Sequence, residues 1–397
     1  MKPVRVVFWA AYLATSWTWC IGMILPVLLM RDHGWLGFWI FAVPNCLGAA
    51  AMGWVIRTRA DSRRFTKAHA PAVAAFSLVT ILFHGAAMPW ALDALHQTAA
   101  SAWTPALLAA AITAAVAAVL PTERVPALAF AVWTVSLGVL VTSALTGFEP
   151  AVATIPAADR PLNAWLLLPV SAFGFALCPY LDATFHRAAV TLNWTDRAGA
   201  FTLGFLGLFL IMILFTAVYA APLGAALFGD APTLPAPLAT ALPIHLGMQA
   251  GLTLALHARE GRPRSFCRSR WTALTIGSLL AGVALWSLAR VIPGYFAGLA
   301  PQEILYRLIL GAYGLFFPAY VWQLARRTPS SALNSTPNRP NILTRWLVPA
   351  LAAAPLLTVG FLLREPGWML PGLLIAVVLP SLGPKPAATL AARQPSL

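Results

Sequence analysis

Two ionisable residues, Asp182 and His186, stand at the end of a long apolar stretch and are the strongest candidates for chemistry in the sequence. They are four positions apart, so a helix would place them on one face. A carboxylate and an imidazole in this arrangement could relay protons or hold a cation, and ionisable residues inside membrane segments mark functional sites because they are costly to place there. The alternative interpretation is a pair at the membrane surface, where both side chains reach water and one caps a helix end.

Two single histidines, His84 and His245, stand inside other apolar runs. Each could be a hydrogen-bonded packing residue or could join the same path for ions or protons. The sequence contains no HExxH, CxxC or GxSxG pattern and no ATP-binding loop. We therefore expect no catalytic residues, no bound metal and no cofactor, with H⁺ or Na⁺ as the coupling ion. The Asp182–His186 pair keeps a polytopic membrane enzyme open as an alternative.

Composition defines the kind of protein that positions these residues. Of the 397 residues, 60% are apolar and 10% are charged, whereas soluble domains carry about 25% charged residues. Lipid must therefore cover the apolar surface, and only helices or closed barrels cross a bilayer. The apolar runs are continuous over about 20 residues and do not alternate over about 10, which excludes a barrel. The sequence predicts an all-α polytopic membrane protein with twelve spans, at residues 6–30, 35–56, 72–92, 103–120, 126–146, 163–185, 199–227, 240–258, 271–292, 304–325, 345–363 and 367–383.

The basic residues predict how these spans are oriented. The net charge of +14 is not expected to serve nucleic-acid binding, because the basic residues follow the alternation of the loops. With the N-terminus in the cytoplasm, the inner segments hold 21 of the 26 basic residues. Such an imbalance is what the positive-inside rule requires. We expect both termini to be cytoplasmic, in a bacterial inner membrane. The outer basic residues are Arg31, Arg160, Arg290, Arg307 and Arg364.

Spans 1 and 6 carry polar groups and helix-breaking residues at their centres. Span 1 has hydroxyl residues, tryptophans and Gly22 before Pro26, and span 6 is interrupted by Pro169, Gly174 and Pro179. They run in opposite directions and are five spans apart, which is the arrangement of interrupted helices in inverted-repeat transporters. The alternative is that these features only let helices pack closely. The residues predicted to bind a solute are Ser16, Trp17, Trp19, Gly22, Ser171, Phe173 and Gly174.

This plan of five spans, five inverted spans and two more resembles the LeuT-type fold of the amino acid–polyamine–organocation superfamily. The stretch FAVPNCLGAAAMGW (Phe41 to Trp54) is similar to the second helix of sodium:solute symporter relatives. The resemblance implies a solute site in unwound backbone of helices 1 and 6. It also implies a Ser/Thr pair in helix 8 for sodium, and span 8, ATALPIHLGMQAGLTLALH, lacks such an adjacent pair.

The main structural alternative is a major facilitator-like protein with two six-span halves. Its basic loops fall at the same places, and GWVIRTRADSRR (Gly53 to Arg64) resembles its loop motif loosely, with too long a spacing from Gly to Asp. The predicted organisation is a ten-helix core over residues 1–325, a flexible cytoplasmic loop over 326–344, two further helices over 345–383 and a disordered tail over 384–397.

These features favour a secondary active transporter or facilitator that moves a small solute by alternating access between helices 1 and 6. Its expected partners are that solute and membrane lipid, with no nucleic acid. A sensor or assembly component that does not transport is the alternative from another class, because interrupted helices can also be packing devices. The identity of the solute does not follow from the sequence.

Overall fold

The computed structural model describes residues 3–18, 20–98, 102–145, 161–228, 236–325 and 343–382. Most of these residues lie in helices, and none of them lies in a strand; an isolated bridge joins Phe296 and Leu299. The predicted loop 326–344 lies outside the described residues except for its last two positions, and the predicted tail 384–397 lies outside them entirely. The α-helices are α1 (Pro3–Trp17), α2 (Cys20–Val55), α3 (Arg59–Ala68), α4 (Ala70–Thr98), α5 (Trp103–Val119), α6 (Val125–Leu145), α7 (Pro161–Leu177), α8 (Ala183–Thr191), α9 (Trp194–Leu203), α10 (Leu210–Leu214), α11 (Thr216–Phe228), α12 (Ala236–Glu260), α13 (Arg268–Val291), α14 (Pro301–Gly311), α15 (Phe317–Ala325), α16 (Val348–Leu362) and α17 (Met369–Leu382).

The chain is an all-α polytopic membrane protein, as the sequence predicts. Within the described residues, nine helices are long and apolar enough to cross a membrane, and three apolar helices are shorter. The total of twelve spans and their orientation stay predictions. The nine are Cys20–Val55, Ala70–His96, Val125–Leu145, Leu162–Leu181, Trp194–Leu214, Ala236–Glu260, Arg268–Val291, Pro301–Ala325 and Arg345–Leu362, and the shorter ones are Trp103–Val119, Thr216–Leu227 and Pro366–Pro380.

Helix α2 contains parts of two predicted spans. Gly34, at φ 61° and ψ −158°, breaks its regular geometry. Glycine reaches this left-handed region without the clash that a Cβ would cause. The chain therefore turns here without an intervening loop, which divides α2 into a first half, Cys20 to His33, and a second half, Trp35 to Val55.

Helix α3 occupies the basic segment between spans 2 and 3, where the sequence predicts a loop. A capping box begins it: the Thr58 hydroxyl accepts a hydrogen bond from the Asp61 N–H (3.0 Å), and the Asp61 carboxylate accepts one from the Thr58 N–H (3.1 Å). The Thr58 hydroxyl also donates to this carboxylate and thereby lowers the pKa of Asp61. The Thr-x-x-Asp spacing is the sequence signal for the start of this helix. The buried face of the helix carries Ser62 and Phe65.

Small residues bring the long helices into backbone contact. On α12, a Cβ added to Gly247 would lie 2.2 Å from the Ala106 carbonyl oxygen, and one added to Gly251 would lie 2.3 Å from that of Ala110. Both alanines belong to α5, so two small residues four positions apart on one helix face two on the other. This contact explains the small residues at positions 106 and 110 of α5. Helices α4 and α13 approach in the same way at Gly85 and Gly282.

Replacing Gly251 with Ala is expected to lower the free energy of unfolding by about 1–3 kcal/mol, because the added methyl group would meet main-chain atoms that cannot rotate away. The measurement is thermal unfolding of the purified protein in detergent. Gly277→Ala is the matched control, since a Cβ at Gly277 on α13 meets nothing within 4 Å. Equal melting temperatures for the two variants would contradict the close contact between α5 and α12.

Candidate functional site

The first helix interruption lies between α1 and α2. Helix α1 ends at Trp17, and α2 begins at Cys20. Near the end of α1, three hydroxyl groups donate hydrogen bonds to main-chain carbonyl oxygens of the preceding turn. The pairs are Thr15 with Ala11 (2.7 Å), Ser16 with Leu13 (3.0 Å) and Thr18 with Ala14 (2.8 Å). Pro26 lies inside α2 and not at this interruption. The interruption therefore coincides with the hydroxyl-rich segment before Cys20.

The second interruption follows α7. A 3-10 turn, Cys178–Leu181, ends the helix, and Asp182 then adopts an extended conformation as the N-cap of α8. Its carboxylate Oδ1 accepts hydrogen bonds from the Thr184 N–H and the Thr184 hydroxyl, both at 2.7 Å. A carboxylate at an N-cap satisfies donors that a helix leaves open and interacts favourably with the helix dipole.

The two interruptions meet inside the protein. The hydroxyl oxygens of Ser16 and Thr184 are 3.1 Å apart, and the rings of Trp17 and Phe185 have centroids 5.0 Å apart. These four residues and Asp182 are all buried, and we call them the junction. Two interrupted helices that meet at one place can offer both main-chain groups and polar side chains to a solute or an ion.

Asp182 supplies the junction with a carboxylate oxygen that has no hydrogen-bond partner among the described residues. The residue is fully buried, and Oδ2 accepts no hydrogen bond from any described residue. Leaving a buried carboxylate oxygen unsatisfied is unfavourable unless it takes a proton or a cation. Asp182 could therefore bind H⁺ or a small cation at this atom. No group of three His, Cys, Asp or Glu side chains that could hold a metal ion occurs among the described residues.

Aromatic rings fill the space beside the junction. The Trp17 ring stacks on Phe76 of α4 at 6.4 Å, and Phe76 contacts Tyr313 at 5.4 Å. The Trp17 indole N–H donates to the Asn45 side-chain oxygen at 2.6 Å, within the protein interior. The junction is thus held between α2, α4 and the segment that follows α14, in a closed form.

Replacing Trp17 with Phe is expected to lower the free energy of unfolding by about 1–3 kcal/mol. The variant keeps a ring against Phe76 but leaves the buried Asn45 amide without the indole donor. Thermal unfolding of Trp17→Phe, Asn45→Leu and the double variant forms a double-mutant cycle that isolates the hydrogen bond. Strictly additive effects would show that the 2.6 Å bond contributes nothing.

The other predicted solute-binding residues are distributed unevenly around the junction. Gly22 is buried one turn after the interruption, and a Cβ there would lie 3.4 Å from the Phe209 ring. Ser171 donates to the Ile40 carbonyl at 2.7 Å and so binds the second half of α2. Phe173 packs against Trp322 at 6.4 Å.

Gly174 completes the predicted set within the described residues. It packs closely on the Tyr313 carbonyl oxygen, where an added Cβ would lie 3.2 Å away. The structure thus brings Ser16 and Trp17 to the junction and places Ser171, Phe173 and Gly174 on other contacts of α7. Trp19 lies outside the described residues.

The predicted histidines occupy separate surroundings. His186 bonds to the Ser62 hydroxyl and the Tyr180 carbonyl, each at 2.8 Å, and the side chains of Asp182 and His186 form no hydrogen bond with each other. The buried His84 bonds through Nδ1 to the carbonyl of Thr80 at 2.8 Å. His245 is buried in α12, and its Nδ1 has no partner in the described part of the chain. The structure therefore separates the proposed relay partners and links His186 to α3.

The structure adds Asn45, Thr184 and Tyr313 to the residues that the sequence predicts for the site. The Asp-x-Thr spacing of Asp182 and Thr184 is a helix-cap signal that could have identified the threonine. Tyr313 lies in a π-helical segment, Ala312–Phe316, and its hydroxyl is 3.0 Å from that of Thr80. A π-helical turn often accompanies a functional site, but the amino-acid sequence alone does not reveal one.

A buried ionic cluster joins the first half of α2 to α14 on one side of the junction. Glu303 binds Arg31 at 2.6 Å and Arg307 at 2.7 Å, and Arg307 also binds Asp32 at 2.5 Å. The Glu303, Arg307 and Asp32 side chains are each 1% exposed. We call Arg31, Asp32, Glu303 and Arg307 the ionic cluster. Each charge has an opposite partner, which a buried charge requires.

On the opposite side of the junction, three arginines connect neighbouring helices through hydrogen bonds to a main-chain carbonyl and an ion pair. Arg5 of α1 donates to the Thr191 carbonyl at 3.2 Å, and Arg59 of α3 donates to the same oxygen at 3.0 Å. Arg187 pairs with Glu260 at 2.6 Å. The end of α8 is therefore fixed to α1, α3 and α12.

Comparison of the chain with known proteins identifies no relative. No protein-family model, no curated protein and no solved structure matches the chain.

Proposed function

We propose that the protein is a secondary transporter or facilitator that moves a small solute across the membrane by alternating access, through a site at the junction. The observation that carries this proposal is the contact between the two interrupted helices at Ser16 and Thr184, beside an Asp182 carboxylate oxygen that has no partner in the described part of the chain. Interrupted helices that face each other inside a membrane protein leave main-chain groups available to a solute or ion.

The helix neighbours support a repeat of five plus five spans. If the first five predicted spans correspond to the next five, span 3 corresponds to span 8 and span 4 to span 9. Helices α4 and α13 pack span 3 against span 9, and α5 and α12 pack span 4 against span 8. Exchanging the two halves converts one contact into the other. The contacts of α2 with α7 and of α1 with α9 are related by the same exchange.

This correspondence favours the LeuT-type plan over two six-span halves. In the proposed topology both termini face the cytoplasm of a bacterial cell, and the ionic cluster faces outward. The ionic cluster and the arginine contacts around Thr191 close the two sides at once. Alternating access then requires each set of contacts to open in turn, with the solute held at the junction between them.

Asp182 is the proposed coupling group. Its buried Oδ2 would take H⁺ or Na⁺, and the solute would bind while that cation offsets the negative charge. Thr253 of α12 donates to the Thr15 carbonyl at 3.4 Å, which brings span 8 to the end of α1. This contact lies next to Ser16 of the junction and would link span 8 to cation binding there.

Uptake by reconstituted protein tests the proposal. Purified protein in sealed vesicles is supplied with a panel of radiolabelled small solutes, with no gradient, a Na⁺ gradient or a pH gradient. Protein-dependent uptake of a solute class, accelerated by one gradient, is the expected result. If folded protein moves no solute under any of these conditions, the carrier proposal is wrong and a sensor, assembly component or membrane enzyme takes its place.

A further inference from the structure

A side cavity lies beside the junction, between the two interrupted helices and the following spans. Its volume is about 290 Å³, and α2, α7, α14 and α16 contribute its walls. The lining is mostly hydrocarbon, with Ile21 and Leu25 on one side, Leu357 on another and Ser171 as one of few polar residues. A cavity of this kind offers too few polar partners to hold ordered water.

Two glycines create the free space. A Cβ added at Gly311 or Gly314 would meet nothing within 4 Å. Both glycines line the cavity, together with Leu308, which is 49% exposed. Leu308 therefore belongs both to the cavity lining and to the exposed apolar surface, and in a membrane protein that surface contacts lipid.

The charges at the end of the cavity are already neutralised. Arg307 lines that end, but its guanidinium binds Glu303 and Asp32 and lies 4.7 Å from the centre of the Phe361 ring. The walls thus complement an uncharged hydrocarbon chain and do not favour an ion. We propose that this cavity is a lipid-binding site that takes one acyl chain of a membrane phospholipid.

The bound chain would contact the segment that supports the second interruption. Tyr313 and Gly314 line the cavity, the Tyr313 carbonyl accepts a hydrogen bond from the Cys178 thiol at 3.0 Å, and Gly174 packs on the same carbonyl. An acyl chain in the cavity fills the space behind this contact and stabilises the 3-10 turn against the π-helical segment that follows α14. The site does not depend on solute transport and goes beyond the proposed function.

Photolabelling tests the proposal. The full chain is reconstituted in phosphatidylethanolamine and phosphatidylglycerol vesicles that contain a small fraction of phosphatidylcholine with a diazirine in one acyl chain. After irradiation, mass spectrometry locates the adducts. We expect them to concentrate on peptides covering residues 308–315 and 354–362, severalfold above those on α6 and α13, which also expose apolar side chains.

Filling the cavity supplies the decisive comparison. Gly311→Leu is expected to remove most of the cavity adducts, whereas Gly277→Leu, which adds the same side chain to open space on α13, leaves them unchanged. Gly314→Leu serves as the second variant if Gly311→Leu does not fold. Adducts spread evenly over all lipid-facing helices, or cavity adducts that persist in the folded variant, would overturn the proposal. A photoreactive octanol is tested in parallel, and labelling by octanol alone would assign the cavity to a free amphiphile and also overturn it.

Discussion

Replacing Asp182 with Asn is expected to abolish the acceleration of solute uptake by an ion gradient, while exchange of solute without a gradient continues. Asn removes the charge that would bind H⁺ or Na⁺. It can still cap α8, because Asn and Asp stabilise an N-cap about equally and its side-chain oxygen can accept from the Thr184 N–H. The measurement is uptake into vesicles with and without the gradient, at matched protein content.

Asp196→Asn is the matched control for this experiment. Asp196 is also buried near the start of a helix, its Oδ1 has no partner among the described residues, and its Oδ2 accepts from Asn193 at 2.9 Å. It lies outside the junction. Coupling that survives in Asp182→Asn would remove the proposed role of this carboxylate, and equal loss in both variants would indicate a general effect of burying one charge fewer.

Glu303→Gln is expected to lower the free energy of unfolding by about 3–5 kcal/mol. The change leaves Arg31 and Arg307 with one carboxylate, Asp32, in place of two, and removing one member of a buried charge pair leaves an uncompensated buried charge. Thermal and denaturant unfolding in detergent would measure the loss. The variant should also unfold at a markedly lower temperature than the unsubstituted protein in lipid vesicles, because lipid does not reach the buried position of the lost carboxylate charge.

Asp93→Asn provides the comparison for the ionic cluster. Asp93 pairs with Arg290 at 3.5 Å, and these side chains are 24% and 61% exposed. Exposed ion pairs contribute about 0–1 kcal/mol, so this variant is expected to stay close to the unsubstituted protein. A loss in Glu303→Gln no larger than in Asp93→Asn would contradict a stabilising role for the ionic cluster.

The sequence predicted those features of the fold that depend on local pattern. Continuous apolar runs predict membrane helices, and this class is confirmed. The hydroxyl-rich segment before Cys20 and the Cys-Pro-Tyr-Leu-Asp segment ending at Asp182 both coincide with helix interruptions in the structure. Local chemistry determines these positions, since hydroxyl side chains and a proline act on their own turn of helix.

Contacts between distant residues did not follow from the pattern. Arg31 and Arg307 were counted as outer basic residues, and nothing in their neighbourhoods indicates that they share Glu303. His186 was paired with Asp182 by helical spacing, yet Asp182 precedes α8 as its cap and His186 contacts α3. Spacing of four places side chains on one face only within a continuous helix.

The backbone contacts at Gly247, Gly251 and Gly282 constrain how the molecule can deform. Side chains between two helices can change rotamer and let the helices slide past each other. A main-chain carbonyl that packs on a glycine cannot rotate away, so the two helices keep their relative position. Helices α4, α5, α12 and α13 are therefore expected to move together, because α12 also packs on α4. Bending is expected instead where helices are interrupted, at Thr18, Gly34 and Asp182, so that helix segments rotate about these positions while the packed helices keep their contacts.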